Sequence, residues 1–334
     1  MDPITQGSLG AALPQSLVKP AQAGTAGLLG LLAGMAPDLD VLIRSNEDPL
    51  LFLEYHRQFT HSLIFIPVGA LLCAAVLHPL LGRRRQLSFR QTLLFCFLGY
   101  ATHALLDTCT TYGTMLLWPF SDARFAWNTI SVIDPLFTLP LLACVLYAAL
   151  RQRPMVARLG LLWCASYMAL GVYQRNEAQA MGWALAAERG HEPVRLEAKP
   201  SFANILVWKT VYETEDRYYV DAVRPSPSQR VYPGQSVDKL DIARDLPWLD
   251  RTSQQAQDIE RFRWFSNGYI ARDPVLPNRV IDIRYSMVPN DVRPLWSIEL
   301  QPEAAASDHA RYRTHREASE QDRARVWSML IGAD

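Results

Sequence analysis

Four stretches of the chain are almost unbroken in apolar residues: 24–43, 62–81, 91–111 and 132–150. Each approaches the roughly 20 residues that a helix needs to cross the hydrocarbon core of a bilayer. A fifth stretch, 157–175, is shorter and is flanked by Arg158 and Arg175. Residues 4–18 are moderately apolar and carry Gly7, Gly10 and Pro14. They predict a short sixth helix that packs against the others or re-enters the membrane. From about residue 178 the pattern changes, and charged residues and prolines punctuate the chain. Residues 202–223 are dense in β-branched and aromatic side chains around a polar turn at Glu213–Arg217, a hairpin pattern. Residues 261–272, 279–288 and 296–300 read as further strands, and 236–262 and 303–330 contain polar helical stretches. The pattern predicts a mainly α protein. A polytopic helical membrane domain over 1–177 is followed by a soluble α+β domain over 178–334.

Composition adds little until it is divided in the same way. Over 334 residues the mean hydropathy is near zero and Lys+Arg balance Asp+Glu at 33 each, so charge gives no reason to expect a nucleic-acid partner. All five cysteines (Cys73, Cys96, Cys109, Cys144, Cys164) fall in the apolar half without C-x-x-C spacing and read as small packing residues. The polar half therefore needs no disulfide on either side of a membrane. No charged segment precedes the first apolar stretch, so no cleavable signal peptide is expected.

Charge between the spans sets an orientation. Gly82-Arg83-Arg84-Arg85 and the Arg151–Arg158 segment should be cytoplasmic by the positive-inside bias. Loops 44–61 and 112–131, and everything after Arg175, then face the other side.

Six ionisable residues stand in or beside these apolar segments: Asp38 and Asp40, His56 and His61, His103 and Asp107. Such groups are costly at membrane depth and usually mark a site or a pathway. At 1.5 Å per residue from Arg90, His103 lies about 20 Å and Asp107 about 25 Å along its helix, in the outer half of the bilayer. Asp38 and Asp40 end an outward helix, and His56 and His61 precede an inward one. Asp134 opens the next inward helix from the same face, so four stretches bring ligand-type residues to one depth on one side. Imidazole and carboxylate together suit a hard-to-borderline divalent ion.

Each piece also has a plainer reading. His103 and Asp107, four apart on one helix face, could form only a buried hydrogen bond between helices. Asp38 and Asp40, after Pro37, could be solvated acids at a helix end; in an extended turn they would both aim at one pocket, or one would support a neighbouring His. A lone interfacial His is usually a satisfied surface or core residue, and the adjacent acidic pair favours ligand roles for His56 and His61. Thr60 is a candidate N-cap. Arg57 could bind phosphate or carboxylate, or anchor the interface. Arg124, in an aromatic loop with Trp118, Phe120, Phe125 and Trp127, could stabilise an anionic transition state or snorkel to the interface. Asp134 reads equally as a ligand, as an acid behind a ligand or as a helix cap. His78 should lie outside the site, and His191, His309 and His315 lack ligand spacing.

At these residues the chain resembles the YdjM-type family of membrane-bound metal-dependent hydrolases. The matching pieces are M-D-P-I-T-Q-G-S-L-G-A-A, G-M-A-P-D-L-D, H-R-Q-F-T-H-S-L, G-Y-A-T-H-A-L-L-D-T-C-T-T-Y-G and W-P-F-S-D-A-R-F-A-W-N-T-I-S-V-I-D-P, in order, over roughly residues 1–150. The resemblance implies a helical membrane protein with a divalent metal site and a hydrolase activity. It carries over Asp38, Asp40, His56, His61, His103 and Asp107 as candidate ligands. Some relatives have His near position 6, where this chain has Gln6, so no ligand is carried over there. The His103/Asp107 helix is also similar, more loosely, to that of zinc-dependent phospholipase C and related nucleases.

The expectation is a metal-dependent hydrolase, most simply a phosphoesterase, in a bacterial inner membrane with its C-terminal domain extracytoplasmic. The divalent metal would be zinc, with manganese or magnesium as alternatives, and would activate water. Asp40 or Asp107 could instead be a general base, and Arg124 would complete the catalytic set. The partner is a membrane lipid or lipid-linked substrate. Competing expectations are a membrane zinc amidase or lipid deacylase, a metal-ion or solute transporter, and a plain anchor for the polar domain. The nearly all-apolar cytoplasmic halves of the helices favour a one-sided site over a transport path.

Overall fold

The computed structural model describes residues 1–333, which form a helical membrane domain and an α+β domain. Two compact units contain them. The first comprises Met1–Leu42, Tyr55–Val172 and Phe202–Asn204. The second comprises Ile43–Glu54, Tyr173–Ser201 and the chain from Ile205 onward.

The first unit is helical: α1 (Pro3–Leu17), α2 (Ala23–Met35), α4 (Ile66–Leu77), α5 (Phe89–Cys109), α6 (Pro135–Arg151) and the start of α7 (Pro154–Glu188), with α3 (Leu51–Tyr55) in the loop after α2. Four helical stretches are long and apolar enough to cross a membrane: Pro20–Leu42, Leu63–Arg85, Phe89–Cys109 and Pro154–Glu188. Local signals set the starts. The Asp2 carboxylate accepts from the Ile4 and Thr5 amides, Ser88 and Gln91 form a capping box, and Asp134 caps α6.

Helices α1, α2 and α5 meet through glycines. A Cβ on Gly30 would lie 2.2 Å from the Gly10 carbonyl oxygen, and one on Gly99 would lie 2.3 Å from that of Gly30. Only hydrogen fits at these two positions. The close approach brings the end of α2 against the second half of α5, where His103 and Asp107 stand.

Three spans differ from the pattern read in sequence. The 24–43 segment is α-helical only to Met35; Ala36–Leu42 tightens into a 3-10 turn at Pro37 rather than an extended one. The 62–81 segment opens with 3-10 turns before α4 and closes in a π turn at His78–Gly82. The stretch expected at 157–175 is part of a 35-residue helix. Asn176–Glu188 breaks the apolar run after Arg175, yet five of its residues are alanine, which propagates a helix.

The second unit holds two four-stranded antiparallel sheets. The first pairs β1 (Arg195–Pro200), β2 (Trp208–Glu213), β3 (Arg217–Arg224) and β4 (Arg230–Asp238) in order, with the expected turn between β2 and β3. The other pairs β5 (Ile270–Arg272), β6 (Arg279–Asp282), β7 (Trp296–Glu299) and β8 (Arg311–Thr314). Val211, Tyr218 and Val220 of the first sheet pack with Tyr269, Ile281 and Ile283 of the second region in one core. Helices α8 (Ile242–Asp245), α9 (Gln254–Phe265) and α10 (Glu320–Ile331) complete the unit. The strand expected at 261–272 is mostly the end of α9: Asn267 and Gly268 take positive φ and stop the helix, leaving three strand residues. The polar helical stretch expected within 303–330 is α10, and Arg311–Thr314 ahead of it pairs with β7.

Candidate metal centre

His103 and Asp107 project from one face of α5, and both are fully buried. Asp38 and Asp40 sit in the 3-10 turn Ala36–Leu42. With three residues per turn, positions two apart diverge, so the two carboxylates take different tasks. His61 ends the 3-10 turn Phe59–His61 and is also fully buried.

Asp38, His61, His103 and Asp107 come together, each with one candidate ligand atom, all within 4.8 Å of one another. His61 Nε2 is 2.9 Å from His103 Nε2, 3.6 Å from Asp38 Oδ1 and 3.3 Å from Asp107 Oδ2. His103 Nε2 is 3.4 Å from Asp38 Oδ1 and 3.8 Å from Asp107 Oδ2. A tetrahedral ion with ligands at about 2.0–2.2 Å requires ligand–ligand edges of about 3.3–3.6 Å. The observed edges scatter around that range.

His103 Nδ1 lies 2.6 Å from the Gly34 carbonyl oxygen, which can only accept, so Nδ1 carries the ring proton. Thr60 Oγ1 donates its one proton to Asp40 Oδ2 at 2.9 Å and therefore accepts from His61 Nδ1, also at 2.9 Å. Both Nε2 atoms then turn lone pairs toward each other and toward two carboxylate oxygens. Such an array needs a cation, or added protons, at its centre. The residues present fit a divalent ion.

Asp40 stands behind this set. Its Oδ1 meets His56 Nδ1 at 2.8 Å, and its Oδ2 accepts from the Arg57 amide at 2.9 Å and lies 3.2 Å from His61 Nδ1. It orients two imidazoles, the usual company of a metal-bound His. His56 is partly exposed and, with Asp38 and Asp40, forms an adjoining group that could also hold an ion. Thr60 supports His61 rather than capping a helix through its side chain.

Asp107 is held from its other side. Gln6 Nε2 donates to its Oδ1 at 2.8 Å, and the Met1 amino group pairs with the same oxygen. Arg57 Nε lies 2.8 Å from Oδ2, too far off axis for a hydrogen bond. Arg57 occupies left-handed backbone (φ 64°), a cost that tends to appear at functional sites. Gln6, Thr60 and the Gly34 carbonyl are the members that sequence patterns did not reveal as parts of the site.

The remaining sequence candidates are not among the convergent donors. Asp134 caps α6 and accepts from the Tyr167 hydroxyl at 3.0 and 2.9 Å. Arg124 is set on Tyr112: its Nη2 donates to the Tyr112 carbonyl at 2.9 Å and its guanidinium lies 5.1 Å from the ring centre. His78 bonds Thr92.

Residues 1–178 match the family model described as YdjM inner membrane protein. The inner membrane protein YbcI of Escherichia coli (strain K12) is 40% identical over 111 residues, 31% of this chain and 60% of that protein. The chain thus spans less than two thirds of that relative's length. No solved structure matches the chain.

Proposed function

The chain belongs to the YdjM inner membrane protein family, and from that premise we propose that it is a membrane-embedded hydrolase dependent on a divalent metal ion. The observation that carries this reading is the facing pair of imidazole Nε2 lone pairs, 2.9 Å apart and closed in by the Asp38 and Asp107 carboxylates. A divalent ion there would supply Lewis acidity and a water of lowered pKa.

The chain's own groups divide the remaining work. His61, His103 and Asp107 are fully buried and fix the ion, whereas the Asp38 side chain is 20% exposed. Substrate and water therefore approach past Asp38. Asp40 locks His61, and His56 on the exposed side is placed to take or return a proton. Asp38 and Asp107 end helical spans, which puts the opening at headgroup depth. A phosphoester, lipid-borne or lipid-linked, is the substrate class that suits an ion and nearby arginines. Zinc is the ion that the two-imidazole, two-carboxylate set suits best, with manganese next.

The experiment is elemental analysis of the purified protein with hydrolysis assays on generic and lipid phosphoesters, before and after exhaustive chelation. One ion per chain and chelator-sensitive turnover are expected. Full turnover after the ion is removed would sink the proposal. Bound ion with no hydrolysis of any phosphoester, carboxylic ester or amide would favour a metal-binding or transport role.

A further inference from the structure

One ring beside the centre carries two guanidinium groups. The Arg57 Cζ lies 4.8 Å and the Arg124 Cζ 5.1 Å from the centre of the Tyr112 ring. The two cations are therefore no more than about 10 Å apart. Asp107 Oδ2 lies 2.8 Å from Arg57 Nε and offsets part of this positive charge from the metal side, while Arg124 stands across the ring.

Both arginines are pinned. The Arg57 amide donates to Asp40 Oδ2, and its carbonyl accepts from the Met115 amide at 3.0 Å. Its Nη1 donates to Thr110 Oγ1 at 2.9 Å, and its side chain is almost fully buried. Arg124 is brought opposite by the antiparallel bridge between Thr114 and Phe125. Gly113, at φ +96°, makes its room: a Cβ there would lie 3.1 Å from Arg124 Cβ and 3.3 Å from its Nε. The Tyr112 ring also stands 5.5 Å from that of His56, on the partly exposed side of the centre.

We propose that Arg57, Tyr112 and Arg124 form an anion subsite next to the metal centre, so that the substrate presents two linked phosphoryl groups, a diphosphate-type headgroup, rather than one. This rests on the hydrolase reading of the same site. One phosphoryl group takes the ion and the second takes the arginine pair, whose planar forks suit phosphate oxygens.

The test is calorimetric binding to the metal-loaded full chain in detergent, with methylphosphonate and methylenediphosphonate as non-hydrolysable probes. One charge-assisted contact corresponds to about 10- to 100-fold in affinity. Wild type should prefer the diphosphonate by that factor. Arg124→Gln should keep its ion and its monophosphonate affinity and lose the preference. Tyr112→Leu, which removes the ring but no charge, should reduce the preference as well. An undiminished preference in Arg124→Gln would mean chelation by the ion alone and would overturn the subsite, as would equal binding of both probes by wild type. A diphosphonate bearing a long alkyl chain separates the sources: tighter binding than the short probe indicates a lipid headgroup, equal binding a soluble diphosphate, and either supports the two-phosphoryl site. Failure of wild type to hydrolyse any phosphoester, carboxylic ester or amide would remove the hydrolase reading, while these binding ratios would still decide the subsite.

Discussion

At the scale of single residues, four side chains offer donors to one candidate metal centre, and Asp40 packs behind two of the imidazoles. Asp107→Asn keeps shape but removes a buried charge facing both imidazoles, so bound metal should fall to trace levels while the protein still folds. Asp40→Asn should do less. It leaves the four convergent donors in place and loosens His56 and His61, a change that typically costs about 10- to 100-fold in metal affinity. Competition with a calibrated chelator measures both. Equal losses in the two variants would make Asp40 a ligand rather than an orienting group. The sequence allows one of the two acids Asp38 and Asp40 to support a neighbouring His but does not say which. The residue types, and the shared face of His103 and Asp107, were readable from composition and spacing alone. What Asp40 touches depends on a 3-10 turn that Pro37 permits but does not dictate, and on Thr60 spending its one proton in a particular direction. Gln6 was visible only as a non-ligand. Its bond to Asp107 crosses 101 residues, and no local pattern encodes that.

At the scale of elements, a glycine crossing sets the site. His103 donates to the carbonyl of Gly34, which α2 can offer only because Gly30 and Gly99 let the helices close. Gly99→Leu should force α2 and α5 apart. Overpacking of this kind costs about 1–3 kcal/mol or more, and here it also breaks the bond that holds the His103 tautomer. Both the thermal midpoint and the metal stoichiometry should drop. Gly24→Ala is the control, since a Cβ there meets nothing nearer than 3.7 Å. A Gly99→Leu variant with wild-type midpoint and full metal would show that the crossing does not position the centre. The spans themselves were legible because hydrocarbon thickness imposes a length on apolar sequence. Helix ends were less so. Hydropathy falls after Arg175 although helix propensity does not, so α7 reads short. β1 and β4 escaped notice because the Lys, Glu and Pro of β1 and the polar, exposed face of β4 lack an alternating apolar pattern.

At the scale of the molecule, charge and packing bear on which side of the membrane each part faces. The arginines at 83–85 and 151–158 lie between two pairs of spans; the positive-inside bias predicts that they are cytoplasmic and that Asp38, His61 and the domain after Arg175 face the far side. Loop 43–54, which separates Asp40 from His56 in sequence, belongs to the same compact unit as that domain, where Asp48 and Glu54 both bind Arg261. Loop and domain must therefore share one side, whichever it is. Gln229 is exposed between β3 and β4 and offers a reporter. In a background with the five native cysteines replaced, Gln229→Cys should react with a membrane-impermeant maleimide as soon as the outer membrane is opened, without breaching the inner one. A cysteine replacing exposed Arg84 should stay protected until the inner membrane is broken. The reverse pattern would invert the chain and place the metal centre on the cytoplasmic leaflet. The geometry of the centre would survive that result, but a substrate delivered from the outer face would not.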